Sequence, residues 1–268
     1  MPSKLLISIN KYSDIKDYET LGVKAFLFPL HDFSIGYPHK FKLSTIKSAN
    51  AYLLINRILD CSDVDKLKIV LKTISSNIKG IVFEDIAVFN IAKELKLDIE
   101  LIWWGNHFGT NSELINFYLE LGIDSAFLAN EITKEEINSI VLNSLKPLVV
   151  QIFGYNQIMY SRRLLLSNYT EYYHLLPLKE EIIKESTNEF KVYEENYGTV
   201  IFNNKVYNGL ELLNTSNIKY FYINSAFLSK ELIVKLIKND FKLSNIDIST
   251  DNGFLSKKTI YKLSEVSK

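Results

Sequence analysis

Short apolar runs alternate with stretches of helical spacing along most of this chain. Seven runs that are typical of buried strands precede residue 153, and an eighth follows near the carboxyl end; they cover residues 5–9, 23–28, 51–55, 80–83, 99–103, 125–128, 148–152 and 218–223. Strand and helix patterns that alternate in this way predict βα units on a parallel sheet.

Eight such units favour a closed barrel over an open sheet. No glycine-rich fingerprint of the GxGxxG type follows a predicted strand, so a dinucleotide-binding fold has little support. The predicted fold is therefore α/β, a TIM-barrel-like parallel (β/α)8 barrel that forms one domain over residues 1–268.

The alternation is interrupted after Tyr169. Residues 190–193 and 199–202 alternate as antiparallel strands do, and the segment 194–198 between them, with Asn196 and Gly198, suits a hairpin loop. We expect a small β insertion at residues 186–208, before the last strand of the barrel.

Charge and cysteine content narrow the classes of function. Lys plus Arg number 31 and Asp plus Glu number 31, whereas a general nucleic-acid-binding surface normally has a basic excess. The single cysteine, Cys61, cannot form an internal disulfide, and neither a signal peptide nor an apolar run of about 18 residues is visible. We expect a cytoplasmic protein with no membrane span.

Polar side chains follow most of the predicted strands, at the end of a barrel where active sites lie. We expect these side chains to gather at one face: Asn10, Asn56, Arg57, Glu84, Asp85, Trp104, His107, Asn130, Glu131, Arg163 and Asn224. Glu84 and Glu131 are candidates for an acid/base pair. The alternative is that both carboxylates only offset the dipoles of neighbouring helices.

Motifs for other chemistries are weak. The loop that carries His31, Asp32 and His39 has no fixed metal-ligand spacing, so a plain surface loop is favoured over a metal site. Neither HExxH nor GxSxG occurs, which leaves no recognised protease motif. We expect no bound metal and no cofactor.

Residues 147–169 read PLVVQIFGYNQIMYSRRLLLSNY. The pattern predicts a core strand that ends at Gly154, followed by a helix that carries Arg162 and Arg163. This stretch resembles the signature segment of the collagenase-like peptidase family, peptidase U32. The matching positions are Gly154, Tyr160, Ser161, Arg163, Leu166, Ser167, Asn168 and Tyr169.

The segment also departs from that family pattern. Phe153 stands where the family usually has histidine, Val149 stands near its acidic residue, Arg162 replaces glycine and Leu164 replaces the first cysteine. Looser similarity covers residues 110–136, 194–199 and 253–261; Glu131 matches there, and Asn130 replaces the usual arginine. The last two segments resemble short members, of roughly 300 residues, from low-GC Gram-positive bacteria.

The resemblance agrees with a barrel and implies three functions. Some members are described as peptidases, and others act in hydroxylation of RNA or quinones with an iron–sulfur cluster on four cysteines. The short members resemble partners of a longer, cysteine-bearing paralogue in hydroxylation of the tRNA wobble uridine. A single cysteine cannot hold such a cluster. The resemblance therefore implies a cluster-less accessory subunit that reaches tRNA through its partner. The alternatives are a U32-type peptidase of undefined mechanism and a non-catalytic interaction scaffold.

The resemblance also singles out Arg163. We expect its guanidinium to point into the barrel mouth and to pair with Glu131 or Glu84. The alternative is a solvated arginine.

Two aromatic residues of the expected insertion, Tyr193 and Tyr197, are candidate contacts for the partner chain. Alternatively, these rings cover the open end of the barrel.

Overall fold

A computed structural model describes residues 1–48, 50–186, 188–244 and 246–257. The strands of this part are β1 (Leu5–Ser8), β2 (Ala25–Pro29), β3 (Ala51–Ile55), β4 (Ile78–Phe83), β5 (Glu100–Trp103), β6 (Ser125–Ala126), β7 (Leu148–Gly154), β8 (Gln157–Ser161), β9 (Glu180–Glu185), β10 (Asn188–Glu195), β11 (Gly198–Asn203), β12 (Val206–Asn208), β13 (Ile218–Ile223) and β14 (Thr250–Asp251). Its α-helices are α1 (Asp14–Thr20), α2 (Cys61–Leu71), α3 (Ile86–Glu94), α4 (Ser112–Glu120), α5 (Lys134–Asn143), α6 (Leu165–Tyr172) and α7 (Lys230–Lys238).

The larger sheet has ten strands in the order β14-β12-β7-β13-β1-β2-β3-β4-β5-β6. From β7 through β13 and β1 to β6, every neighbouring pair is parallel. Helices connect most of these strands, because parallel neighbours require a crossover. The prediction of an α/β fold with a mostly parallel sheet is confirmed.

The two ends of this parallel run approach one another. An isolated parallel bridge joins Phe127, just after β6, to Val149 of β7. The peptide N–H of Leu128 donates to the carbonyl oxygen of Val149 at 2.9 Å.

One face of the sheet encloses a compact apolar cluster. Each strand of the parallel run contributes to it, directly or through the residue that follows: Leu6, Leu27, Leu54, Val82, Ile102, Phe127, Val149 and Tyr222. Tyr222 shares a hydrogen bond with Tyr37 at 2.8 Å, so its buried hydroxyl is satisfied. The opposite face packs against the helices in a second, larger cluster.

Side-chain caps fix where several helices begin. Thr133 and Glu136 form a capping box at the start of α5. At α2 the capping box consists of Asp60 and Asp63. The Asp60 carboxylate accepts the peptide N–H of Asp63 at 2.9 Å, which fixes the start of this helix at Cys61.

A separate antiparallel sheet, β8-β11-β10-β9, is called the roof sheet below. It includes β8 and β9, which lie before the expected insertion at residues 186–208. The last strand of that range, β12, pairs instead with β7 of the larger sheet. The roof sheet therefore begins directly after β7.

The prediction of a helix that carries Arg162 and Arg163 is wrong. Both residues lie between β8 and α6, which begins at Leu165. Gly154 permits the turn into β8, since its φ is +116° and a Cβ there would clash with the carbonyl oxygen of Asn224.

None of the helices in the described ranges has the length and hydropathy that crossing a membrane requires.

Candidate functional site

A cavity of about 250 Å³ lies between the carboxyl ends of the strands and the roof sheet. Five side-chain amides line it: Asn106, Asn130, Asn156, Gln157 and Asn203. Aromatic rings and the pair His107 and Glu131 complete much of the wall. We call this space the mouth cavity.

A smaller space of about 20 Å³ adjoins the mouth cavity and shares Trp104, Asn106, Asn130 and Gln157 with it. This volume is about enough for one water molecule. Glu84 lines the smaller space, beyond the end of β4.

Amide hydrogen bonds fix the floor of the mouth cavity. Asn130 Nδ2 donates to Gln151 Oε1 at 3.3 Å and to Asn156 Oδ1 at 3.0 Å. Gln151 Nε2 also donates to Asn156 Oδ1, at 2.8 Å. Gln151 is 2% exposed and Asn156 is 8% exposed, so neither amide can relax freely into solvent. Their polar atoms are therefore held in place.

Burial changes the acidity of Glu84. Loss of solvent raises the pKa of this carboxyl from 4.5 to about 7, against the opposing effects of His107 and of a hydrogen bond from Asn106. At neutral pH the side chain exists in both the acid and the carboxylate form. A carboxyl in that state can donate or accept a proton.

Glu131 lies at the rim of the mouth cavity. Its Oε1 is 2.9 Å from His107 Nδ1, and both side chains are about 40% exposed. Glu84 and Glu131 therefore share one end of the sheet, and the observed partner of Glu131 is a histidine. A catalytic role for Glu84, Glu131 or Arg163 remains a prediction.

Arg163 is exposed, and no ion pair holds its guanidinium within the described residues, so the expected contact with Glu131 or Glu84 is absent. Its backbone is bound into the roof: its N–H donates to Ser161 Oγ, and Thr199 Oγ1 donates to its carbonyl oxygen. Arg162 pairs with Asp60 at the surface, at 3.0 Å.

The buried arginine is Arg57, which is 4% exposed. It forms an ion pair with Asp63 and donates to the carbonyl oxygen of Asp32. Its guanidinium carbon lies 3.9 Å from the ring centre of Tyr197, so it connects the loop after β3 of the larger sheet to the roof sheet.

Other predicted strand-end residues hold loops. Asn10 donates to the carbonyl oxygens of Ser225 and Leu228. Asn56 exchanges two hydrogen bonds with the backbone of Ile35. Asn224 Nδ2 donates to the carbonyl oxygen of Tyr155, and Asp85 caps α3. The amides of Asn10 and Asn56 are thus used within the protein.

The residues that match the family motif mostly build the roof. Tyr160 donates to the carbonyl oxygen of Tyr197 at 2.9 Å. The carboxylate of Glu194 accepts the N–H groups of Leu166 and Ser167 and the hydroxyl of Ser167, which secures the start of α6. Asn168 and Tyr169 are exposed on that helix.

Tyr193 and Tyr197 contact their own chain. The ring of Tyr193 meets Phe227 edge to face at 5.1 Å. Tyr197 packs on Arg57 and donates to Asp32 Oδ1 at 2.7 Å. Docking of a partner on these two rings remains a prediction.

The chain does not fit a four-cysteine iron–sulfur cluster, because it has one cysteine, Cys61, which is exposed. Among the described residues, no group of three or more His, Cys, Asp or Glu side chains is arranged to hold a metal ion.

Sequence reasoning did not single out Asn106, Asn156 and Gln157. Asn106 follows β5, Asn156 lies in the turn between β7 and β8, and Gln157 is the first residue of β8. The sequence feature that could have identified them is their position, directly after the ends of predicted strands and close to Gly154.

Two comparisons with known proteins identify relatives of this chain. The model of "Peptidase family U32" matches residues 37–239. A Bacillus subtilis (strain 168) protein named "tRNA hydroxylation protein P2" is 24% identical over 257 residues, which cover 88% of this chain and 83% of that protein. The family match spans more than half of the chain, and so this chain belongs to peptidase family U32.

Proposed function

We propose that this chain is a cluster-less accessory subunit in 5-hydroxylation of the wobble uridine of tRNA. The similarity to a tRNA hydroxylation protein over most of both chains carries this proposal. Its partner would be a longer, cysteine-bearing paralogue of the same family, which would also bring the tRNA. The setting would be the bacterial cytoplasm, where tRNA is modified.

The single cysteine supports a system in which the partner, and not this chain, holds the cluster. A cluster needs several thiolate ligands, and Cys61 alone cannot supply them. The balance of 31 basic and 31 acidic residues likewise favours contact with tRNA through a partner over a broad RNA-binding surface of this chain.

The parallel sheet is, in this proposal, a closed eight-stranded barrel within one domain. The bridge between Phe127 and Val149 supports closure, as does the apolar cluster to which all eight strands contribute. The roof sheet would then cover the carboxyl end of the barrel, the usual place for a barrel site.

Genetic complementation tests the function. The chain is expressed in a Bacillus subtilis strain that lacks the gene for the related protein, and digested tRNA is examined by mass spectrometry for 5-hydroxylated uridine. Recovery of the modified nucleoside supports the proposal. No recovery, together with no co-purification of a paralogue from the native host, would reject it.

A peptidase of undefined mechanism remains the alternative. It rests on the family description, and hydrolysis of a peptide library by the purified chain, lost in Glu84→Gln, would favour it over the accessory role.

A further inference from the structure

The mouth cavity has hydrogen-bonding capacity that the protein does not use. Within the described ranges, the side-chain amides of Gln157 and Asn203 have no protein partner. Asn156 accepts hydrogen bonds through its Oδ1, and Asn130 donates through its Nδ2. The Nδ2 of Asn156 and the Oδ1 of Asn130 have no protein partner within the same ranges. An amide offers donors and an acceptor side by side. The wall therefore presents both kinds of group within one small space.

The charge of the wall is low. No lysine or arginine occurs among the described residues that line the mouth cavity. Its ionisable pair, His107 and Glu131, is joined across 2.9 Å at the rim. An anionic ligand would lack a cationic partner there, and burying it would be costly. These features favour an uncharged ligand.

The size and the rings of the cavity limit the shape of a ligand. A volume of about 250 Å³ lies just below the usual range of ligand pockets, about 300–1,000 Å³, so only a small ligand would fit. Trp104, Phe190 and Phe254 line the same space as the amides. Planar aromatic walls suit a flat ring, which stacks against them while its edge meets the amides.

We propose that the mouth cavity binds a small, uncharged, planar ligand that carries an N–H donor beside a carbonyl acceptor, the chemistry of a cyclic amide or imide. Gln157 and Asn203 would contact the edge of this ring, and the fixed network of Gln151 and Asn156 would support the floor. This binding site goes beyond the accessory role and does not depend on it.

Four ring compounds of similar size test the proposal on the purified full chain by ligand-observed NMR titration. The probes are 2-pyridone, N-methyl-2-pyridone, benzoate and benzamidinium. We expect saturable binding of 2-pyridone. N-methyl-2-pyridone should bind at least about tenfold more weakly, because methylation removes the N–H that would donate to an amide oxygen of the cavity. We expect no saturable binding of the anion or of the cation.

Variants locate the binding. Gln157→Met and Asn203→Leu remove the two unused amides with little change in volume, and each is expected to weaken 2-pyridone binding about tenfold. Asn204→Leu is the matched control, since Asn204 adjoins Asn203 but bonds to Glu189 outside the cavity. Thermal unfolding of each variant shows whether the fold is kept.

Several outcomes would overturn the proposal. These are no saturable binding of 2-pyridone up to about 10 mM, far weaker than ordinary specific affinities, equal binding of its N-methyl derivative, or preferred binding of benzoate or benzamidinium. Unchanged affinity in folded Gln157→Met and Asn203→Leu would also reject it. A failure of complementation in B. subtilis would leave all of these readouts unaffected, so the two proposals fail separately.

Discussion

Glu84 shows how burial at the end of a strand alters a single side chain. Its carboxyl lies beside Trp104 and the cavity amides, and loss of solvent raises its pKa to about 7. The folded chain therefore keeps this proton at pH values where an unfolded chain releases it. The contribution of Glu84 to stability is complete below about pH 4.5 and is lost as the pH rises to about 7.

Replacement of Glu84 tests this sign. Glu84→Gln cannot titrate, so its free energy of unfolding should rise relative to wild type by up to roughly 3 kcal/mol between pH 4.5 and pH 8. Urea unfolding at several pH values measures the difference. Glu120→Gln, at an exposed position of α4, should show no comparable trend. A pH-independent difference for Glu84→Gln would show that its pKa is normal.

The arginines make a second comparison at this scale. Arg57→Ala would leave Asp63 buried without its partner and remove the cation that packs on Tyr197, so we expect a loss of about 3 kcal/mol or more of unfolding free energy. Arg163→Ala, at an exposed position, should change it by less than about 0.5 kcal/mol. Chemical denaturation of both variants measures these changes in unfolding free energy. Equal losses for the two variants would contradict a structural role that belongs to Arg57 and not to Arg163.

Among the elements, α6 depends on a residue from another element. Glu194 of β10 is 5% exposed and accepts the N–H groups of Leu166 and Ser167. Its Oε2 also lies 2.8 Å from Thr199 Oγ1, whose single hydrogen it shares with the carbonyl oxygen of Arg163. One carboxylate therefore joins the first turn of this helix to the roof sheet, in the place of a local cap.

Glu194→Gln keeps the shape of this side chain but turns one acceptor into a donor that faces other donors. We expect it to cost about 1–3 kcal/mol, seen as a lower melting temperature. The control is Glu185→Gln on the exposed strand β9. Similar melting temperatures for the two variants would show that α6 forms without this contact.

Regular elements were predictable where burial leaves a periodic signal. The strands of the parallel run are almost wholly buried, so their apolar runs are visible in the sequence. β9 reads EEIIKE and is exposed throughout, so no apolar alternation marks it. Met159 of β8 stands near helical spacing from Leu164 and the apolar residues after Leu164, which is why the sequence predicted a helix there. Only the pairing of β8 with β11 fixes this segment as a strand.

Some residues of the candidate site were likewise predictable from the sequence, and others were not. Glu84, Trp104 and Asn130 follow predicted strands, and their convergence could be expected from parallel topology. Asn156 and Gln157 reach the cavity because the chain turns at Gly154 into the roof sheet. That turn depends on contacts with Asn224, far along the sequence, and local patterns do not contain it. The last part of the similarity at residues 253–261, from 258 onwards, lies outside the described residues.

For the whole molecule, the first expectation concerns metal. The purified chain should be colourless and should carry no stoichiometric iron, because it has one cysteine and Leu164 at the family's cysteine position. Elemental analysis of protein prepared without oxygen measures this directly. About four irons per chain would contradict the accessory role.

The second expectation concerns how the roof sheet is joined to the larger sheet. Tyr193 and Tyr197 pack on Phe227 and Arg57, so replacing both by alanine should lower the melting temperature by about 5 °C or more. An unchanged melting temperature, together with lost co-purification of the proposed longer paralogue, would instead identify these rings as the docking surface. Tyr172→Ala, at an exposed position of α6, serves as the control for stability.

The pairing of β1 between β2 and β13 has a consequence during synthesis. Leu5 lies beside Phe221, so the first strand leaves the ribosome long before its neighbour exists. At elongation rates of about 5–20 residues per second, the nascent chain would wait roughly 10–40 s for β13. One edge of β1 lacks its strand partner throughout that time, and one edge of β7 lacks its partner from the moment β7 is made, since β13 fills both places. The nascent chain is therefore most exposed to misassociation just before β13 emerges.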